Sequence, residues 1–107
     1  MASTKEYLDF VLEQLSGLDT ITYRPMMGEY VLYCEGKVIG GVYDDRLLLK
    51  PTKSALRLIR EEGLDAPMET PYEGAKEMLL ADVDRPDLLC RMVQGIADDL
   101  PAPRKKS

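Results

Sequence analysis

The sequence predicts an α+β domain of two layers, a mainly antiparallel sheet with three packed helices. Three observations carry this. Apolar residues recur at helical spacing in three segments, near 4–16, 53–62 and 86–99. Between the first two, residues 29–50 alternate with period 2 and are broken by turn pairs, as successive antiparallel strands require. The resulting order, α-β-β-β-β-α-β-α, gives each helix an apolar face that a sheet can bury.

The first helix is predicted from about Thr4 to Ser16. Ser3 followed by Glu6 fits a capping box, and Gly17 suits the C-terminal stop. Tyr7, Leu8, Val11, Leu12, Leu15 and Leu18 form its apolar stripe. Ile21 and Tyr23 then suggest a short strand, interrupted at Pro25 and Gly28 by a bend or bulge. In the next strand, Glu29 to Cys34, Tyr30, Leu32 and Cys34 share one face while Val31 and Tyr33 share the other. Glu35-Gly36 is a turn. Lys37 to Tyr43 is a third strand, with Gly40-Gly41 marking a bulge or a close backbone approach. Asp44-Asp45 turns the chain into Arg46 to Lys50.

Thr52 is placed to cap a second helix, Lys53 to about Glu62, closed by Gly63. Leu56 and Ile59 are assigned to its core face, with Leu58 off that line. Residues 64–74, with Pro67, Pro71 and Gly74, form a connector. Lys76 to Val83 is a further strand. Asp84 caps the last helix and Pro86 sits in its first turn. Leu88, Leu89, Met92, Val93, Ile96 and Leu100 give that helix its apolar face.

Composition bounds the function. The chain has 107 residues, enough for one domain with one modest core. Residues 1–103 are assigned to that domain, and Arg104, Lys105 and Lys106 to a short basic tail at 104–107. No apolar run approaches the roughly 18 residues of a membrane span, and the N-terminus has no signal-peptide core. A cytoplasmic protein is expected, with no membrane partner. Its two cysteines, Cys34 and Cys90, read as reduced, buried thiols. The net charge of −5 repels phosphate backbones, so direct nucleic-acid binding is not expected.

The chain contains no histidine. General acid-base chemistry near neutral pH most often uses that side chain, and the hydroxyl residues sit at caps and connectors. Asp44-Asp45 and Asp82 with Asp84 read as turn and cap carboxylates rather than metal ligands. The expectation is a non-enzyme with no cofactor and no metal. Two features remain as candidate interaction sites. One is a basic stripe at helical spacing, Lys53, Arg57 and Arg60, which suits an acidic partner or a phosphate. The other is the segment from Arg24 to Met27, with Tyr30 and Tyr33 as further candidates beyond it; Arg24, Met27, Tyr30 and Tyr33 are residue types favoured at adaptable protein contacts.

The stretch Tyr23 to Lys50 resembles the N-terminal domain of the TfoX/Sxy family. The resemblance rests on Arg24, Met27, Gly28 and Tyr30, then Leu32, Tyr33 and Gly36, then Asp44-Asp45-Arg46-Leu47 with Leu49-Lys50. Pro71-Tyr72 and the closing helix are similar as well. Pro25-Met26 places one residue more than usual between Arg24 and the Met-x-Gly element. The family includes regulators of competence that act with the cyclic-AMP receptor protein and commonly carry a second, C-terminal domain. The resemblance therefore implies a stand-alone domain with no catalytic residues to carry over. It implies a non-catalytic regulatory or protein-interaction module whose partner belongs to the transcription machinery. A small-ligand-binding domain, using the sheet face or the 64–74 connector, is the alternative. A two-fold homodimer burying part of the Arg24–Tyr33 region is also expected, because a sheet has two edges to cover.

Overall fold

The alternating segment folds as a meander because its turns accept left-handed backbone. A computed structural model describes residues 4–64 and 67–101. In it, β1 (Ile21–Met26), β2 (Glu29–Cys34), β3 (Lys37–Val42) and β4 (Leu47–Leu49) are successive antiparallel neighbours. Each connection holds two residues at positive φ: Met27 and Gly28 (53° and 84°), Glu35 and Gly36 (54° and 78°), Asp44 and Asp45 (54° and 55°). Paired positive φ values mark the type I′ turn, whose twist matches that of the strands it joins. Two short strands complete the sheet, β5 (Met68–Glu69) and β6 (Met78–Leu80), giving the order β1-β2-β3-β4-β6-β5. Every pairing is antiparallel.

Three helices cover one face: α1 (Lys5–Gln14), α2 (Lys53–Glu61) and α3 (Pro86–Asp99). α3 lies between the other two and also touches β2 and β3. Leu8, Val11 and Leu15 from the first helical segment meet Leu32, Cys34, Ile39, Val42, Leu47, Leu49 and Leu79 from the sheet side. Leu88, Leu89, Met92, Val93, Ile96 and Ala97 complete this single core. Each fully buried leucine there contributes roughly 1.5–3 kcal/mol. The α+β architecture and the predicted element order hold, with β5 added.

Local assignments change in five places. Thr4, not Ser3, is the N-cap of α1: its hydroxyl accepts from the Tyr7 amide, and Ser3 lies outside the described residues. β1 runs straight through Pro25, and Met27-Gly28 is the turn. The Glu35 amide donates to the Thr20 carbonyl, so by alternation the Thr22, Arg24 and Met26 pairs are the hydrogen-bonded ones. Pro25 thus falls where an N–H would point off the sheet edge, and it forfeits no ladder bond.

On α2, Ile59 packs against the core as expected, but Leu58 is buried with Ala55 while Leu56 is exposed, so the two leucines exchange their expected roles. Thr52 occupies the N-cap position but its side chain makes no cap bond. The cap comes from the far end of α3: Asp99 accepts from the Ser54 amide at 2.7 Å and the Ser54 hydroxyl at 2.8 Å. The last change concerns α3. Its N-cap is Arg85, and Asp84 instead donates its amide to the Asp82 carboxylate in a local turn. The basic tail assigned to 104–107 lies outside the described residues. Among those described, no helix is long and apolar enough to cross a membrane.

Candidate functional site

The face of the sheet away from the helices carries the unusual surface. Strand register sets its membership. Thr22, Arg24 and Met26 lie opposite Tyr33, Val31 and Glu29, and Leu48 lies opposite Gly41 and Leu80. Val31 and Leu48 are buried yet stand outside the helix-side core, so chain covers them from the other side. Part of that cover is Tyr43. A Cβ on Gly41 would lie 2.7 Å from the Tyr43 ring and 2.6 Å from the Tyr30 carbonyl oxygen. The missing side chain lets the ring lie against the strand. Burial then pushes the Tyr43 phenol above its ordinary pKa, with Tyr72, Glu29 and Tyr33 adding to the effect.

Tyr43, Pro71 and Tyr72 line both of two hollows on this face. One, of about 470 Å³, is completed by Met26, Met27 and Glu29. The other, of about 540 Å³, extends past Val38, Lys50, Thr52, Lys76 and Met78. The Asp-Asp-Arg turn explains how the 64–74 connector comes to lie here. Arg46 forms an ion pair with Glu69 of β5, and its other guanidinium nitrogens donate to the carbonyls of Thr70 (3.4 Å) and Tyr43 (3.2 Å). Pro71 and Tyr72 follow directly. The two preceding aspartates tie the same turn to its neighbours, one through its amide and one through its carboxylate. The Asp44 amide donates to Glu29 at 2.8 Å, and Asp45 accepts from the Thr4 amide at 2.8 Å.

The predicted interaction residues do not form one site. Arg24 is exposed on the helix-free face and Tyr33 is half-buried there. Met27 projects from the hairpin tip at 97% exposure. Tyr30 belongs to the helix side, edge-on to Tyr23 with ring centroids 5.9 Å apart. Lys53, Arg57 and Arg60 are exposed on α2, in the helical layer across the sheet from the hollows. Tyr43, Tyr72, Met26 and Arg46 are not among the interaction residues expected from sequence. Tyr72, at 65% exposure, and Met26, at 51%, are the largest omissions. The Gly41-x-Tyr43 spacing and the Pro71-Tyr72 pair were the available signals.

Cys34 is buried and within 3.5 Å of the Thr20 hydroxyl. Cys90 is half-buried and donates to the Gln14 carbonyl. Both are free thiols. Among the described residues, no group of three or more histidine, cysteine or carboxylate side chains is arranged to hold a metal ion.

These features define a small α+β domain with one helix-covered sheet face and one partly open face. The model of the TfoX N-terminal domain matches residues 13–93, and the chain belongs to that family. It is also 34% identical over 108 residues to an uncharacterised 12.7 kDa protein in the trpE 5′ region of Spirochaeta aurantia. That alignment covers 99% of this chain and 90% of the relative.

Proposed function

We propose that the chain is a non-catalytic regulatory module that docks a protein partner on the open sheet face. The observation that carries this is the cluster of Met26, Met27 and Tyr72 around the 470 Å³ hollow, exposed at 51%, 97% and 65%. A methionine at such exposure, on a turn with defined backbone, adds nothing to the core. Methionine is a side chain that adapts to a partner's surface, and tyrosine is favoured at interface centres. Membership of the TfoX N-terminal family supports a partner from the transcription machinery, met in the cytoplasm. The acidic net charge of −5 favours a protein over a nucleic acid as that partner. No cofactor or reaction is part of the proposal. The small-ligand alternative would use the 540 Å³ hollow, which is open to solvent and would enclose a ligand on few sides.

The test is affinity capture from the native host with wild-type protein and with Met27→Asp. The wild type should retain a defined transcription-associated protein. The variant should lose it by about tenfold or more, the range of an interface hot spot. Equal retention by both would remove this face as the docking site. The variant should melt no lower than wild type, because the exposed side chain has little to lose and aspartate tolerates the positive φ of the turn better than methionine.

A further inference from the structure

Two exposed helix faces, on either side of α3 in the helical layer, are complementary to each other. On α1, the buried side chains are Leu8 and Val11, and the opposite face presents Glu6, Asp9, Phe10 and Glu13, all exposed. On α2, the buried side chains are Ala55 and Leu58, and the opposite face presents Lys53, Leu56, Arg57 and Arg60, all exposed. Each face carries three like charges around one large apolar side chain, spread over two helical turns. Phe10 is 38% exposed and Leu56 is 42% exposed. The sign is negative on α1 and positive on α2.

The two faces cannot meet within one molecule, because α3 packs against both helices and stands between them. Lys5 tempers the acidic face, since its ammonium lies 2.7 Å from Asp9. Among the described residues, Glu6 and Glu13 are in no such pair and Lys53, Arg57 and Arg60 form no ion pair, although Arg57 stands close enough to Asp99 to help hold its carboxyl ionised. The acidic helix therefore offers two free carboxylates, one turn on either side of Phe10, to a basic helix whose charges flank Leu56.

We infer that the α2 face binds the α1 face of a second copy of this chain. A two-fold axis running along α3 uses both pairs at once, since the outer surface of the helical layer then meets its own copy with α1 of each copy over α2 of the other, and such interfaces close at a dimer. This surface replaces the Arg24–Tyr33 region as the expected dimer contact. Arg24 and Met27 stay free for the partner proposed above, and the two functions occupy opposite sides of the sheet. Edge pairing through β1 is the weaker route. Its outward N–H groups belong to Ile21 and Tyr23, and Pro25 supplies none.

The test is a charge swap read by light scattering, from micromolar to near-millimolar protein. The wild type should rise from the 12.0 kDa monomer towards twice that mass. It should fall back at about 1 M salt, where screening reaches within about 3 Å. Arg57→Glu/Arg60→Glu and Glu6→Lys/Glu13→Lys should each weaken self-association by about tenfold or more, because attraction becomes repulsion at two contacts. An equimolar mixture of the two variants should restore the dimer, because one contact is then repaired and the other is wild type. Circular dichroism of each variant separates this from unfolding. A 12.0 kDa mass at every concentration, or a dimer indifferent to both variants, overturns the inference. A dimer lost in both variants but not restored by mixing also overturns it.

Discussion

Gly40 shows how one missing side chain sets the sheet. It pairs with Leu32 on one side and Leu49 on the other, at the bulge where Leu32 and Tyr33 face Gly40 and Val38. A Cβ there would sit 2.1 Å from the Leu48 carbonyl oxygen and 2.9 Å from the Leu49 Cα. Both obstacles are backbone, so no rotamer change relieves them. Gly40→Ala is expected to destabilise the fold by about 3 kcal/mol, towards the upper end for overpacking, as measured by denaturant titration. Gly41 meets obstacles of both kinds, the Tyr30 carbonyl oxygen at 2.6 Å, which is backbone, and the Tyr43 ring, which can swing away. The adjacent glycines were legible in sequence as a bulge or close approach, and both apply. Their separate roles were not, because they depend on what lies across the strand. Met27 was legible as a candidate contact residue but not as a turn residue. Methionine has no intrinsic preference for positive φ, and the hairpin imposes it.

At the scale of elements, the α2–α3 latch joins residues 45 apart in sequence. Hydrogen bonds from the Ser54 amide and then the Ser54 hydroxyl hold the Asp99 carboxyl below its ordinary value of 3.8, with the Thr52 hydroxyl and Arg57 adding to the effect. The buried Thr52 hydroxyl oxygen lies near enough to Asp99 to contribute but meets no partner in good hydrogen-bond geometry. A depressed folded pKa means that the latch is fully present above the unfolded value and is lost as pH falls through the folded one. Asp99→Asn should therefore melt below wild type near neutral pH, and the two curves should converge as pH falls past the ordinary carboxylate value and through the depressed folded one. Thermal scans across that range check it. No sequence pattern near Thr52 or Ser54 reveals Asp99, so the cap was assigned to the nearest hydroxyl. The exchange of Leu56 for Leu58 on the core side of α2 has a related cause. Leu56, Leu58 and Ile59 allow two stripes on a nine-residue helix. The basic residues at 53, 57 and 60 choose between them by staying in water. β5, with two residues, carries no periodic signal, and Arg46 positions it from outside.

At the scale of the molecule, opposite faces carry different chemistry. The helix-free face is apolar and aromatic around the Tyr43–Tyr72 ridge, while the helical layer carries charges of both signs on its flanks. The sheet core and the three helices were readable from hydrophobic period alone. The candidate site was only half readable: Arg24 and Met27 lie on the first hairpin, but Tyr72 reaches that hollow through the Arg46 contacts to residues 69 and 70. The latch at Asp99 also bears on the order in which the chain matures. The first four strands pair with near neighbours in sequence and can form while the remainder is still being made on the ribosome. The N-terminal turn of α2 cannot close its cap until the end of α3 has emerged. A nascent chain halted before Asp99 should thus hold an ordered meander beside a frayed helix start. Pulse-labelled amide exchange on stalled chains should show Val31 and Leu32 protected first and Ser54 last. Simultaneous protection of all three would refute that order.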